Sequence, residues 1–125
     1  MKTAELLALH HAAAGYRPFA SSIVALPSRF LPAVAPGLRM RVHVATTGPE
    51  PGNWLVAVED GVCSVMLGSL PEPDARLYTD SDIGHSILSG GLSIEQALAS
   101  RLLDYDGDLR ALRRFGACFR LGESL

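Results

Sequence analysis

Charge is scarce in this chain. Charged residues make up 19% of its 125 positions, and 11 Lys plus Arg against 13 Asp plus Glu leave a net charge of −2. That balance excludes a protein that lives on phosphate backbones, because nucleic-acid binding draws its affinity from clustered positive charge. Cysteine is almost absent: Cys63 and Cys118 are the only two, so neither a disulfide framework nor a four-cysteine zinc site is available. No apolar run approaches the roughly 18 residues that a membrane-spanning helix needs. The sequence also lacks G-x-G-x-x-G, a P-loop, G-x-S-x-G and H-E-x-x-H, which weakens the case for an enzyme, although many sites have no linear signature. What the chain has in quantity is apolar side chains, 48% of the total. It can bury enough of them to offset its ordering entropy, and its length suits one domain over residues 1–125.

The first residues carry a faint likeness to a secretion signal, with Lys2 before Leu6, Leu7 and Leu9 and small residues at Ala12 and Ala14. Glu5 and the pair His10 and His11 interrupt it, so an ordinary first helix is expected, capped by Thr3 and stopped by Gly15, in a cytoplasmic protein. Residues 16–37 hold Pro18, Pro27, Pro32 and Pro36, which rules out one long helix and predicts short helical pieces, with Ser28 capping a turn that carries Phe30, Leu31 and Val34. From Leu38 the pattern turns to a period of two. Leu38, Met40, Val42 and Val44 alternate with Arg39, Arg41 and His43, predicting a half-buried strand, and a loop is expected over 46–52. Trp54, Val56 and Val58 alternate toward Asp60-Gly61, the chemistry of a two-residue hairpin turn. That turn pairs Glu59 with Val62, Val58 with Cys63, Val56 with Val65 and Trp54 with Leu67, which puts the bulky side chains on one face.

A fourth strand is expected over 74–79. A helix follows, capped by Thr79 with Asp82, carrying Ile83, Ile87 and Leu88 and ending at Gly90-Gly91. Ser93-Ile94-Glu95-Gln96 is a capping box for a second helix with Ile94, Ala97 and Leu98 inward. Residues 103–106 read as a strand, and Gly107-Asp108 opens a last helix whose Leu109, Leu112, Phe115 and Phe119 form a stripe, with Gly122 as its stop. Arg110, Arg113, Arg114 and Arg120 lie mostly off that stripe. Strands first and helices gathered afterwards predict an α+β domain with helices on one face of a mainly antiparallel sheet.

Few residues point to chemistry. Asp104, Asp106 and Asp108 with Gly107 do not fit a calcium loop, since Leu109 and Phe115 occupy the required glycine and glutamate positions. His10, His11, His43 and His85 show no ligand spacing, so no metal site and no cofactor are expected. Cys63 falls on the inward face of the hairpin, and Cys118 lies near a helix end where the dipole opposes a thiolate. The arginines of the last helix form a solvated face or a reader of anionic surfaces. The apolar surplus fills an ordinary core, or lines a hollow between sheet and helices that would hold an apolar ligand equally well.

The segment DARLYTDSDIGHSILSGGLSIEQALASRLLDYDGDLRALRRF, with the upstream NWLVAVEDGVCSV, resembles the sterol carrier protein 2 family of lipid-binding domains. The shared landmarks are Leu77 and Thr79, the capped helix over 80–89, Gly90-Gly91-Leu92, Gln96-Ala97-Leu98, Gly107-Asp108, and the Trp54 hairpin with its Asp-Gly turn. They run from Leu38 to Phe119. Departures are Arg101-Leu102-Leu103 where the family has a Gly-Lys-Leu-type step, Ile94 where a proline is common, and the first 37 residues, a helical, proline-rich segment read as a variant lid over a core at 38–121.

The resemblance implies a five-stranded sheet with helices around a hydrophobic tunnel for a fatty acid, acyl-CoA, sterol or prenyl lipid, and no catalytic residues. The side chains expected to face the ligand are Met40, Val42, Val44, Trp54, Val56, Val58, Ile83, Ile87, Leu98, Leu112, Phe115 and Phe119, with Phe30, Leu31 and Val34 at the mouth. The expected function is non-enzymatic lipid binding and transfer, with a membrane surface or an enzyme as partner. Two alternatives are an accessory factor that presents lipid intermediates in quinone or isoprenoid biosynthesis, and an isomerase- or cyclase-like enzyme using the same pocket. The enzyme would need a polar group inside it, for which His43, His85 and Tyr105 are the candidates.

Overall fold

The computed structural model describes residues 17–121; the expected helix between Thr3 and Gly15 and the expected stop at Gly122 lie outside them. Helix α1 (Pro18–Val24) and a 3-10 turn (Leu26–Arg29) precede strands β1 (Met40–Thr47), β2 (Gly52–Glu59), β3 (Val62–Leu67) and β4 (Ala75–Asp80). Helices α2 (Ser81–Leu88) and α3 (Ile94–Ala99), strand β5 (Leu103–Gly107) and helix α4 (Leu109–Ala117) follow. The strands form one sheet in the order β3-β2-β1-β4-β5. Every neighbouring pair is antiparallel except β1 with β4, which run parallel. The architecture is α+β, as the distribution of elements predicts.

The hairpin adopts the register that its turn dictates: Glu59 faces Val62, Val58 faces Cys63, Val56 faces Val65 and Trp54 faces Leu67. Asp60 and Gly61 both take positive φ, 54° and 76°, the geometry whose twist matches the flanking strands. Across the sheet, Met40 opposes Val58 and Val42 opposes Val56, so the alternating apolar side chains gather on one face. That face packs against Phe19, Ile23, Leu26, Leu112, Phe115 and Phe119. The other face presents Arg41, Ser64, Tyr78, Asp104 and Asp106, all exposed.

Four expectations need correction. First, β1 begins at Met40 and runs through Thr46 and Thr47, so the loop between the first two strands is shorter than the prolines suggest. Second, Asp80, not Thr79, caps α2, its carboxylate accepting from the Asp82 amide at 2.7 Å. Thr79 remains in β4, and its hydroxyl donates to the Leu102 carbonyl at 2.9 Å. Third, Ser28 caps nothing; it sits inside the 3-10 turn with its hydroxyl on the Ala25 carbonyl. Fourth, α4 stops at Ala117. Beyond it the chain pairs back on residues 29–31: the Leu31 amide donates to Cys118, the Arg120 amide donates to Arg29, and Phe119 bridges Phe30.

Where the sequence signal is local, caps form as expected. Ser93 and Gln96 make the reciprocal capping box of α3, and Asp108 caps α4 through the Arg110 amide at 2.9 Å. Helix α1 is fixed from a distance. Pro18 occupies its first turn, and the Glu50 carboxylate, from the β1–β2 loop, accepts from the amides of Phe19 and Ala20 at 2.8 and 3.1 Å. The Glu50 amide donates to the fully buried Ser81 hydroxyl, so one loop residue ties α1 to the start of α2.

The turn supplies a test. A Cβ on Gly61 would meet only Pro32, at 4.0 Å, so Gly61→Ala probes backbone conformation without a clash. It is expected to destabilise the domain by about 1–2 kcal/mol, the cost of an L-residue in the left-handed region. Asp60→Gly, at the neighbouring position, is expected to be close to neutral. Urea unfolding followed by circular dichroism measures both.

Candidate functional site

Between the apolar sheet face and the helices lies a cavity of about 100 Å³. Its walls come from every layer. Val44, Val56, Leu77, Leu103 and Tyr105 rise from the sheet, Phe19 and Ile23 from α1, Leu26 from the 3-10 turn, and Ile87 and Leu88 from α2. Ile94 and Leu98 come from α3, Leu109, Leu112, Phe115 and Gly116 from α4, and Phe119 and Leu121 from the segment after it. Side chains with polar ends in the lining are Thr79, Tyr105 and Arg113. Two of these are engaged elsewhere: the Thr79 hydroxyl on the Leu102 carbonyl, and the Arg113 guanidinium on Glu95 at 2.8 and 2.9 Å.

The sequence reading and the structure agree on part of this wall. Val44, Val56, Ile87, Leu98, Leu112, Phe115 and Phe119 line the cavity. Met40, Val42 and Val58 point to the same side of the sheet but sit within the packed core, and Trp54 is half-buried against that core. Ile83 belongs to a smaller cluster around Ile87, Ala97 and Leu103. Phe30, Leu31 and Val34 do not line the cavity. Phe30 stacks on Phe119 with ring centroids 5.6 Å apart, and Val34 is exposed.

Sequence reasoning missed Phe19, Ile23 and Leu26, whose spacing of four and then three residues is a helical stripe starting beside a proline that suits a first turn. The prolines of that segment masked it. Arg113, read as part of a solvated face or of a reader of anionic surfaces, is not singled out there as a lining residue.

Two glycines set how closely the roof elements approach one another. On α2, a Cβ at Gly84 would lie 2.6 Å from the Phe19 ring, so α2 and α1 meet at a position only a hydrogen can occupy. On α4, a Cβ at Gly116 would lie 3.1 Å from Ile94 Cδ1, which brings α4 against α3.

The candidate acid–base groups are not assembled. Tyr105 lines the cavity. His85, on α2, contacts Ser22 Oγ through Nδ1 at 2.6 Å, while the Ser22 hydroxyl reaches the Pro18 carbonyl at 2.9 Å; with that single hydrogen so directed, His85 Nδ1 carries the proton of the contact. His43 lies on the opposite face of the sheet, its Nε2 on Asn53 Oδ1 at 2.8 Å and its buried Nδ1 without a partner. Cys63 and Cys118 are both buried and free. Burial pushes the Cys63 thiol up to about 11 and also raises Cys118, so neither is a nucleophile near neutrality. A second, more open hollow of about 260 Å³ at the carboxyl ends of β1 and β4 is edged by Thr47, Tyr78, Asp80, Arg101 and Asp104. Among the described residues, no group of His, Cys, Asp and Glu is arranged to hold a metal, and no helix is long and apolar enough to cross a membrane.

No family model matches the chain, and no curated protein matches it. Solved structures do. The stereoselective inverting sec-alkylsulfatase Pisa1 from Pseudomonas sp. is similar over 75% of this chain, with a TM-score of 0.67 and 20% identity. This chain spans only 15% of that enzyme's length. Palmitated SCP2L2 from Aedes aegypti is similar over 82% of this chain and 91% of its own, with a TM-score of 0.64 and 16% identity. The ubiquinone synthesis protein UbiJ-SCP2 is similar over 78% of this chain and 76% of its own, with a TM-score of 0.54 and 14% identity. At these identities the likeness establishes the fold: the described chain has the sterol carrier protein 2 fold.

The close approach at Gly84 and the buried thiol each yield a prediction. Gly84→Ala must displace the Phe19 ring and is expected to cost about 1–3 kcal/mol, an overpacking penalty, read as a lowered midpoint in urea. For Cys63, the native state holds its proton more tightly than the unfolded chain does. The stability this provides is complete below pH 9 and declines as pH rises from 9 toward about 11. Unfolding midpoints across that range should fall in the wild type and fall less in Cys63→Ala.

Proposed function

We propose that this domain binds a lipid, whether fatty acyl, sterol or isoprenoid, in the cavity between sheet and helices and carries it without changing it chemically. The observation that supports this reading best is the cavity itself, walled by aliphatic and aromatic side chains from the sheet and from the four described helices. A packed core does not keep such a space without loss. At about 24 cal/mol per Å³, roughly 2 kcal/mol of packing is forgone, and an apolar guest recovers it. The ligand-bound state of a neighbour with the same fold, palmitated SCP2L2, supports the same reading.

The cavity as it stands is smaller than the guest. About 100 Å³ is less than the roughly 150 Å³ of an engineered apolar cavity that admits benzene. A long chain therefore enters only as the roof moves outward, and each buried methylene contributes about 0.8 kcal/mol toward that movement. Residues 1–37 are proposed as the lid, since α1 within them supplies Phe19 and Ile23 to the wall. The proposed carrier works in the cytoplasm, where two thiols remain reduced. A second reading, an accessory factor that presents a prenylated intermediate to enzymes of quinone synthesis, draws on the likeness to UbiJ-SCP2. Lipid extracted from the protein as purified from its native host distinguishes the two: a prenylated aromatic favours the second, mixed fatty acids the first.

Uptake of a fluorescent fatty acid tests the proposal directly. The wild-type domain should bind it saturably. Leu112→Glu, which sets a carboxylate in the cavity wall, should weaken binding at least about tenfold, a loss of 1.4 kcal/mol or more. Met66→Glu, on the opposite face of the sheet, should leave it unchanged, and circular dichroism confirms that both variants fold. A wild-type domain that takes up no lipid at any practical concentration overturns the reading.

A further inference from the structure

One seam in the roof of the cavity is closed by an ion pair between two helices. Helices α3 and α4 meet through two side-by-side contacts. Inward, Ile94 lies against Gly116, near enough that a Cβ on the glycine would be 3.1 Å from Cδ1. Outward, Glu95 and Arg113 join through Nε at 2.8 Å and Nη2 at 2.9 Å. Ile94 and Glu95 are consecutive, and Arg113 and Gly116 lie one helical turn apart, so the whole seam is a single turn long. Arg113 also lines the cavity, as do Leu98 and Leu112. It is thus the charged member of the lining, with one end of its side chain on the apolar wall and its guanidinium at the surface.

We infer that Arg113 is the head-group anchor of the cavity: the Glu95–Arg113 pair opens as α3 and α4 part, and the freed guanidinium takes the carboxylate or phosphate head of an anionic, single-chain amphiphile. This rests on the reading of the cavity as a lipid site and narrows its ligand. Three physical points carry it. The pair is cheap to break, because both side chains are more than half exposed and such ion pairs contribute at most about 1 kcal/mol. The guanidinium fork that now holds Glu95 with two donors fits a carboxylate or a phosphate equally well, so an anionic head replaces what is lost, whereas a hydroxyl head leaves two charges unpaired. The surrounding field favours an anion: the sequence of α4, LRALRRFGA, carries Arg110, Arg113 and Arg114 and no acidic residue. Its partner Glu95 is held anionic by the same guanidinium, so it competes for Arg113 at every pH near neutrality.

The experiment is competition against a neutral fluorescent probe, N-phenyl-1-naphthylamine, by hexadecanoate, hexadecyl phosphate and hexadecanol. These share one chain length and differ in head group. In the wild type the two anions should displace the probe at least about tenfold more effectively than the alcohol. Arg113→Gln should abolish that ratio, Arg113→Lys should restore part of it, and Glu95→Gln should raise it severalfold. The difference between hexadecanoate and hexadecyl phosphate shows which head the site takes. A wild type that shows no preference, or an Arg113→Gln variant that keeps it, overturns the inference while leaving the lipid-binding reading intact. If neither the probe nor any competitor binds, the lipid-binding reading itself fails and this one with it.

Discussion

The apolar face of the sheet has to be covered, and the elements that cover it are short. Strands β1, β2 and β4 present Met40, Val42, Val56, Val58 and Leu77 to one side, an area that cannot face water. The roof consists of helices of 7, 8, 6 and 9 residues and a four-residue 3-10 turn. Helix α1 reaches the core through Phe19 and Ile23, α2 through Ile87, α3 through the small Ala97, and α4 through Leu112 and Phe115. Among the described residues no single helix spans the face, and the cavity is the space left between their contacts. The cavity follows from the mismatch between a continuous floor and a segmented roof.

Segments this short do not hold themselves together, because isolated helices below about 12–15 residues are marginal in water. Each is therefore anchored at its start by an acceptor: Glu50 on α1, Asp80 on α2, Ser93 on α3 and Asp108 on α4. Glu50 does more than cap. Its amide reaches Ser81 and its carbonyl accepts from Thr46 at 2.8 Å, so α1 and α2 share one anchor at the end of β1. Helices α3 and α4 share none. They meet at Ile94 and Gly116 and at an exposed ion pair, so the two halves of the roof are held with different strength, and the weaker join lies over the cavity.

What could be read from the sequence was what nearby residues decide. The Asp60-Gly61 turn and the alternation on either side of it specify the same register, and the structure has that register. The Ser93 box and the Asp108 cap are signals of four residues or fewer and form as read. The errors share a cause. Asp80 stands one residue nearer to α2 than Thr79, and only the hydrogen bond from Thr79 to Leu102, 23 residues on, shows why Thr79 stays in its strand. Helix α4 stops at Ala117 because the chain turns to pair with residues 29–31, a partner no local pattern reveals. The prolines of 16–37 exclude one long helix, and the helical pieces there are short as expected. They do not say where each piece begins: Pro18 starts α1, and Phe19, Ile23 and Leu26, three residues of the cavity wall, are not singled out by the sequence reading. The parallel pairing of β1 with β4 was likewise invisible, since alternation gives a strand its faces but not its neighbours.

If the cavity holds a lipid, as proposed, its two sides discriminate by different physics. Its depth is hydrocarbon against hydrocarbon, where one methylene more or less changes binding by about 0.8 kcal/mol whatever the rest of the guest is. Such a wall separates long chains from short ones and hardly distinguishes an acyl chain from a prenyl chain of similar bulk. Selection finer than that needs a polar group whose partner is lost when the wrong guest binds. Among the lining side chains Thr79 is engaged with the Leu102 carbonyl, in contacts that secure β4 to the end of α3. Arg113 differs because its partner is another exposed side chain, which solvent can replace at small cost. On the proposed reading, a roof joined by a replaceable ion pair above an indifferent hydrocarbon floor places the choice of guest at the surface, where α3 meets α4.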